Sequence, residues 1–115
     1  MADLEEGYEQ VIGASPKDLF DLVGNPERTP EWDLSVKSVT RLGEGPAGRG
    51  ARYAEPHRVL LREHTIELEV AEYEPPRAVA FSTVAGGPSS TTRYELVPHE
   101  AGTLVQVTVS ARVEG

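Results

Sequence analysis

Cysteine is absent from the 115 residues, which removes disulfides, thiol nucleophiles and thiolate metal sites together. No apolar run approaches the roughly 20 residues of a membrane-spanning helix. The opening Met-Ala-Asp-Leu-Glu-Glu is acidic, unlike a secretory signal, so a cytoplasmic location is the simplest expectation. Basic residues are outnumbered 11 to 19, leaving a net charge of −8. Nucleic acid is therefore not an expected partner, because phosphate binding needs a concentrated positive surface. There is no internal repeat, linker or low-complexity segment, and residues 1–115 read as one domain with a single core.

What is present is a balanced composition, 38% hydrophobic and 26% charged, as in folded soluble proteins. The charge is uneven. Residues 37–62 hold six basic groups (Lys37, Arg41, Arg49, Arg52, Arg58, Arg62) against Glu44 and Glu55, while the rest of the chain carries five basic and seventeen acidic residues. Solvated strand faces and loops account for this, as would a basic lip that attracts an anionic head group or an acidic partner.

Leu4–Gly13 reads as a first strand. Ser15 then has the character of an N-cap, Pro16 of a first helical position and Asp18 of a first-turn acid. Leu19, Leu22 and Val23 follow at helical spacing, widened by Phe20, and Gly24 ends a short helix. Asn25-Pro26 and Thr29-Pro30 repeat the cap-then-proline pattern, predicting two further helical turns before Trp32, the only tryptophan. Val36–Leu42 reads as a second strand. The glycine-rich segment 43–50 lacks the lysine-serine ending of a phosphate loop and reads as a turn.

Ala51–Glu55 is the expected third strand, broken by Pro56 and His57. The longest strand is expected over Val59–Tyr73, where Ile66, Leu68 and Val70 alternate with Thr65, Glu67 and Glu69, giving one buried and one wet face. Pro75-Pro76 ends it. Val79–Val84, Ser90–Val97 and Thr103–Val113 follow across turns short enough for antiparallel hairpins. The expected fold is therefore α+β, with about seven antiparallel strands and short helices confined to Pro16–Trp32.

The segments Ala14–Val23 and Asn25–Asp33 resemble the opening of the polyketide cyclase/dehydrase-like branch of the START-like (SRPBCC) superfamily. The resemblance continues through Ser35–Val39, Gly48–Tyr53, Glu72–Arg77 and Thr92–Leu96, so it covers essentially the whole chain. It implies a helix-grip fold, in which a curved antiparallel sheet wraps a long C-terminal helix around a hydrophobic cavity. The sequence stops at Ala111-Arg-Val-Glu-Gly115, about where the last strand should end, and that helix is missing from it. The favoured account is a truncated chain. Cover from a partner chain or a second copy comes next, followed by a reduced variant of the fold.

Strand parity turns Ile66, Leu68 and Val70 inward, and Arg62 and His64 share that direction. An inward histidine could act as general acid or base, which makes His64 the candidate catalytic residue. His57 and His99 read as surface residues. Glu55, His57 and His64 carry metal-ligand chemistry, but Pro56 is expected to disrupt their common face, so no metal is assigned. No cofactor is implied. The resemblance adds Trp32, Tyr53, Phe81 and Tyr94 as residues that line or close the cavity. The expected ligand-binding set is Trp32, Tyr53, Arg62, His64, Ile66, Leu68, Phe81 and Tyr94.

Three functions are compatible with this reading. The cavity could hold a small hydrophobic or amphipathic molecule, as a carrier, sensor or accessory protein. It could be the site of a cyclase/dehydratase-type lyase or isomerase. The open sheet could instead pack on a partner chain, as an interaction module.

Overall fold

The computed structural model describes residues 2–113; the closing Glu114 and Gly115 lie outside them. Seven strands form one curved antiparallel sheet: β1 (Ala2–Ile12), β2 (Thr40–Leu42), β3 (Arg52–Val59), β4 (Arg62–Glu74), β5 (Ala78–Ala85), β6 (Ser90–His99) and β7 (Gly102–Val113). Their spatial order is β1-β7-β6-β5-β4-β3-β2. A single α-helix, α1 (Pro16–Val23), and a 3-10 helix (Pro26–Glu31) sit between β1 and β2. This is the expected helix-grip sheet, and no long helix lies in its grip among the described residues.

The helical segment forms for the reasons its caps suggest. The Asp18 amide donates to Ser15 Oγ at 3.2 Å, Pro16 occupies the first turn, and the Gly24 amide closes the last by donating to the Phe20 carbonyl at 2.8 Å. The Glu27 amide donates to Asn25 Oδ1 at 3.1 Å and starts the 3-10 helix. Leu19 and Phe20 are the buried face of α1, and Phe20 meets Tyr73 edge-on at 5.3 Å. Val36, Val39, Tyr53, Val70, Val79, Leu96, Val105 and Val107 complete the core beneath them. The inner face is therefore covered at its helical end, where Val105 and Val107 are buried.

Three element boundaries differ from expectation. Val36–Leu42 is not all strand: only Thr40–Leu42 pairs with β3. Val36 and Val39 are both buried from an irregular segment, and the Val36 amide donates to the Asp33 carbonyl in a turn. Their three-residue spacing is that of two plugs, not of strand alternation.

Nor do Pro56 and His57 break β3, which runs through both to Val59. The short β2 reaches only as far as Ala54, so Pro56 lies where β3 is an edge and its missing N–H costs no ladder bond. The long strand accordingly starts at Arg62, because Leu60-Leu61 makes a two-residue hairpin turn between Val59 and Arg62. Leu60 holds φ 57°, a backbone state that usually selects glycine or asparagine and so gives no sequence signal here.

β4 carries register shifts between Glu67 and Leu68 and between Val70 and Glu72. Such bulges bend a strand and increase its twist. At the far end, the β6–β7 turn abuts the exit from β1. Thr103 is fully buried there, and its Oγ1 donates to the Ala14 carbonyl at 2.6 Å, fixing the angle at which α1 leaves the sheet.

Candidate functional site

The bent sheet and the helical segment leave a half-open cavity of about 260 Å³ between them. This lies just below the ~300–1,000 Å³ of pockets for drug-sized ligands. The sheet contributes Glu55 and His57 from β3, Ile66 and Leu68 from β4, Phe81 and Thr83 from β5, and Ser90, Thr92 and Tyr94 from β6. Facing them are Val23, Pro26, Thr29, Trp32, Asp33 and Val36. The register explains why the sheet residues share one face: Ile66 stands opposite Glu55, Thr83 opposite Leu68, and Thr92 opposite Phe81.

The aromatic wall is continuous. Tyr94 lies between Trp32 and Phe81, with ring centroids 6.3 and 6.4 Å away and both contacts edge-on. Trp32 is 40% exposed and forms the mouth. Burial, aided by the charges of Tyr8, Asp33 and Glu55, pushes the Tyr94 hydroxyl up to about 12. At neutral pH it is therefore an uncharged group that can donate a hydrogen bond.

Polar groups stand among these apolar ones. Thr83 and Ser90 share a hydroxyl–hydroxyl bond of 3.3 Å. His57 Nε2 lies 2.9 Å from Glu55 Oε1, and the Glu55 side chain is only 13% exposed. Asp33 is committed to its own turn, accepting from the Ser35 amide at 3.0 Å and the Ser35 hydroxyl at 2.6 Å. No lysine or arginine lines this cavity. Its carboxyl groups are those of Asp33 and Glu55, and its one imidazole is that of His57.

Five of the eight expected ligand-site residues line the cavity: Trp32, Ile66, Leu68, Phe81 and Tyr94. Three stand elsewhere. Tyr53 shares the inward face but is buried in the core under the Arg41 guanidinium, 5.6 Å above its ring. Desolvation raises the Tyr53 hydroxyl above its ordinary value. Arg62 and His64 have the predicted parity, but they lie too near the start of β4 to reach the cavity and are exposed.

The histidine expectation is reversed. His57 lines the cavity, while His64 stacks on its outer side with ring centroids 5.9 Å apart. Pro56 leaves Glu55, His57 and His64 on a common face after all. Among the described residues, no group of three or more His, Cys, Asp or Glu is placed to hold a metal ion.

The basic segment is likewise divided. Arg41 is structural, Arg52 pairs with Glu69 at 3.5 Å, and the rest do not reach the cavity.

Residues 7–115 match the sequence profile of the family described as polyketide cyclase / dehydrase and lipid transport. No curated protein matches the chain by sequence. Among solved structures, Ara h 8.0201 superposes with a TM-score of 0.81 at 16% identity, over 99% of this chain and 80% of that one. Ginseng major latex-like protein 151 from Panax ginseng does so with a TM-score of 0.79 at 12% identity, over 96% of this chain and 79% of its own. The di-domain ARO/CYC protein StfQ of the steffimycin biosynthetic pathway gives 0.80 at 11% identity, and the match spans 97% of this chain but 37% of that protein. At these identities the likeness is one of fold.

Proposed function

The chain belongs to the polyketide cyclase/dehydrase and lipid transport family, and on that footing we propose that it binds a small, neutral amphipathic molecule in the cavity under Trp32. The observation that carries this reading is the mixed lining. Three aromatic rings, with Ile66 and Leu68, supply apolar surface, hydroxyls and the Glu55–His57 pair supply hydrogen-bonding groups among them, and no lysine or arginine of the described residues lines the cavity to receive an anionic head group. The apolar part of a ligand lies against Phe81 and Tyr94. Its hydroxyl or carbonyl turns toward Thr83, Ser90 and His57. A carboxylate in that place would face the carboxyl groups of Glu55 and Asp33.

The Glu55–His57 pair also favours a second reading, a cyclase/dehydratase-type enzyme. An imidazole held by a carboxylate can take a proton from a carbon next to a carbonyl and return it to a departing hydroxide. Water is then released and a double bond is left behind. The catalytic candidate becomes His57 instead of His64, because only His57 reaches the cavity.

Trp32 is the only tryptophan and reports on the cavity mouth directly. Titration with 2-naphthol should quench its fluorescence saturably, and 2-naphthoate should bind about tenfold more weakly. Phe81→Ala should weaken naphthol binding strongly, and His57→Gln, which keeps a hydrogen-bonding side chain at the cavity, should weaken it less. If neither probe saturates, or if Phe81→Ala changes nothing, the cavity is not the binding site.

A further inference from the structure

Leu34, Leu60 and Leu61 are 93%, 92% and 93% exposed, the most exposed large apolar side chains among the described residues. Two of them form the tip of the β3–β4 hairpin, within the sequence Arg58-Val-Leu-Leu-Arg62. The third sits in the segment that follows the 3-10 helix. The two segments meet: Ser35, Lys37 and Ser38 on one side and Arg58, Leu60 and Glu63 on the other line a common groove. Apolar tips are thus flanked by Lys37 and Arg58, which line the groove, and by Arg62 at the start of β4, all exposed and none in an ion pair among the described residues, with Glu63 the acid of the described residues that lines the groove. The chain as a whole carries −8, so this end is polarised against the rest of the molecule.

We propose that this end of the molecule docks on an anionic lipid bilayer. The leucines enter the headgroup layer, and the three cations rest against lipid phosphates and carboxylates. An apolar tip with a basic collar matches both layers of such a surface, apolar below and negative above. A protein partner fits less well, since a specific interface needs about 800 Å² from each side and a narrow tip offers three side chains. Screening confines the repulsion of the distant acidic groups to about 10 Å at 0.1 M salt, so the net negative charge does not prevent approach by this end. His57 lines both this groove and the cavity, so docking brings the His57 end of the cavity toward the lipid. The proposal stands apart from the ligand reading, because it rests on different residues.

The test is flotation of the 115-residue chain with phosphatidylcholine vesicles, with and without phosphatidylserine. Wild type is expected to float with the phosphatidylserine vesicles and to be released by salt. Leu60→Asn combined with Leu61→Ser should lower binding at least about tenfold. Asparagine tolerates the positive φ at position 60, and both side chains are outside the core, so the fold is kept. Arg58→Gln with Arg62→Gln should cost about fivefold per residue on phosphatidylserine vesicles and nothing on phosphatidylcholine. Failure of wild type to float, or flotation that the leucine pair does not change, would overturn the proposal. So would sedimentation without vesicles showing that the leucine pair abolishes self-association, because the tip would then be meeting a second copy.

Discussion

Arg93 stands on the convex face between two carboxylates, donating to Glu72 at 2.8 and 3.2 Å and to Glu95 at 2.8 Å. Its hydrogen bonds hold the Glu72 carboxyl below the ordinary glutamate value of 4.5, and Arg93 itself is raised and stays cationic throughout. A carboxyl whose pKa is depressed on folding contributes stability above its unfolded value. That contribution is lost as the pH falls through the folded value. Wild type should therefore exceed Glu72→Gln in stability at pH 7 and lose the advantage as the pH falls below the ordinary glutamate value of 4.5. Both side chains are about a third exposed, so the difference should stay within about 1 kcal/mol. Urea unfolding of the two proteins across that range checks it; an advantage that grows in acid would reverse the sign of the argument.

At the scale of elements, the joint between β1, α1 and the β6–β7 turn is tightly determined. Gly102 sits at φ 134°, and a Cβ there would come within 2.2 Å of the Ile12 carbonyl oxygen. Gly102→Ala should cost about 2–3 kcal/mol or more, through backbone strain and displacement of β1, seen as a lowered thermal midpoint. A midpoint equal to wild type would mean the turn yields freely.

Elements with local chemistry were legible in the sequence. Ser15-Pro16 with Gly24 specified α1, and the alternation from Ile66 to Val70 specified the inward face of β4. Elements set by their neighbours were not. Pro56 reads as a break unless one knows that β2 is too short to pair with that part of β3. The Leu60-Leu61 turn lacks glycine and asparagine and hides inside an apolar run. The same misreading of Pro56 removed Glu55 and His57 from the candidate site. Parity alone could not show that, of the directly opposed His57 and His64, only His57 lines the cavity. Trp32, Phe81 and Tyr94 were found because the resemblance supplied the global geometry that periodicity lacks.

The whole molecule is more open than its size calls for. Its accessible surface is 7575 Å², where a folded protein of 12.5 kDa exposes about 6,200 Å². Its radius of gyration is 14.6 Å against about 13 Å expected. Part of the excess lies along β1, where Leu4 and Tyr8 are more than half exposed on the face that Val107 shares. We propose that this uncovered edge of the inner face associates with a second copy or a partner chain. Sedimentation velocity of the 115-residue chain over a dilution series should show a dimer that dissociates. A monomer at all concentrations, with no dye-accessible apolar surface, would defeat the proposal.

During synthesis β1 leaves the ribosome before any other strand of the sheet, yet its sole neighbour is β7, with Ala2 opposite Val113. The hairpins from β2 to β7 can each close locally while β1 waits. Closing a loop of about 100 residues instead of 10 costs only about 2 kcal/mol more, so the delay is a matter of time more than of final stability. For that interval two nascent chains on neighbouring ribosomes each carry an unpaired β1 and are building a β7 able to receive it. The architecture thereby favours exchange of the first strand between copies wherever translation is crowded.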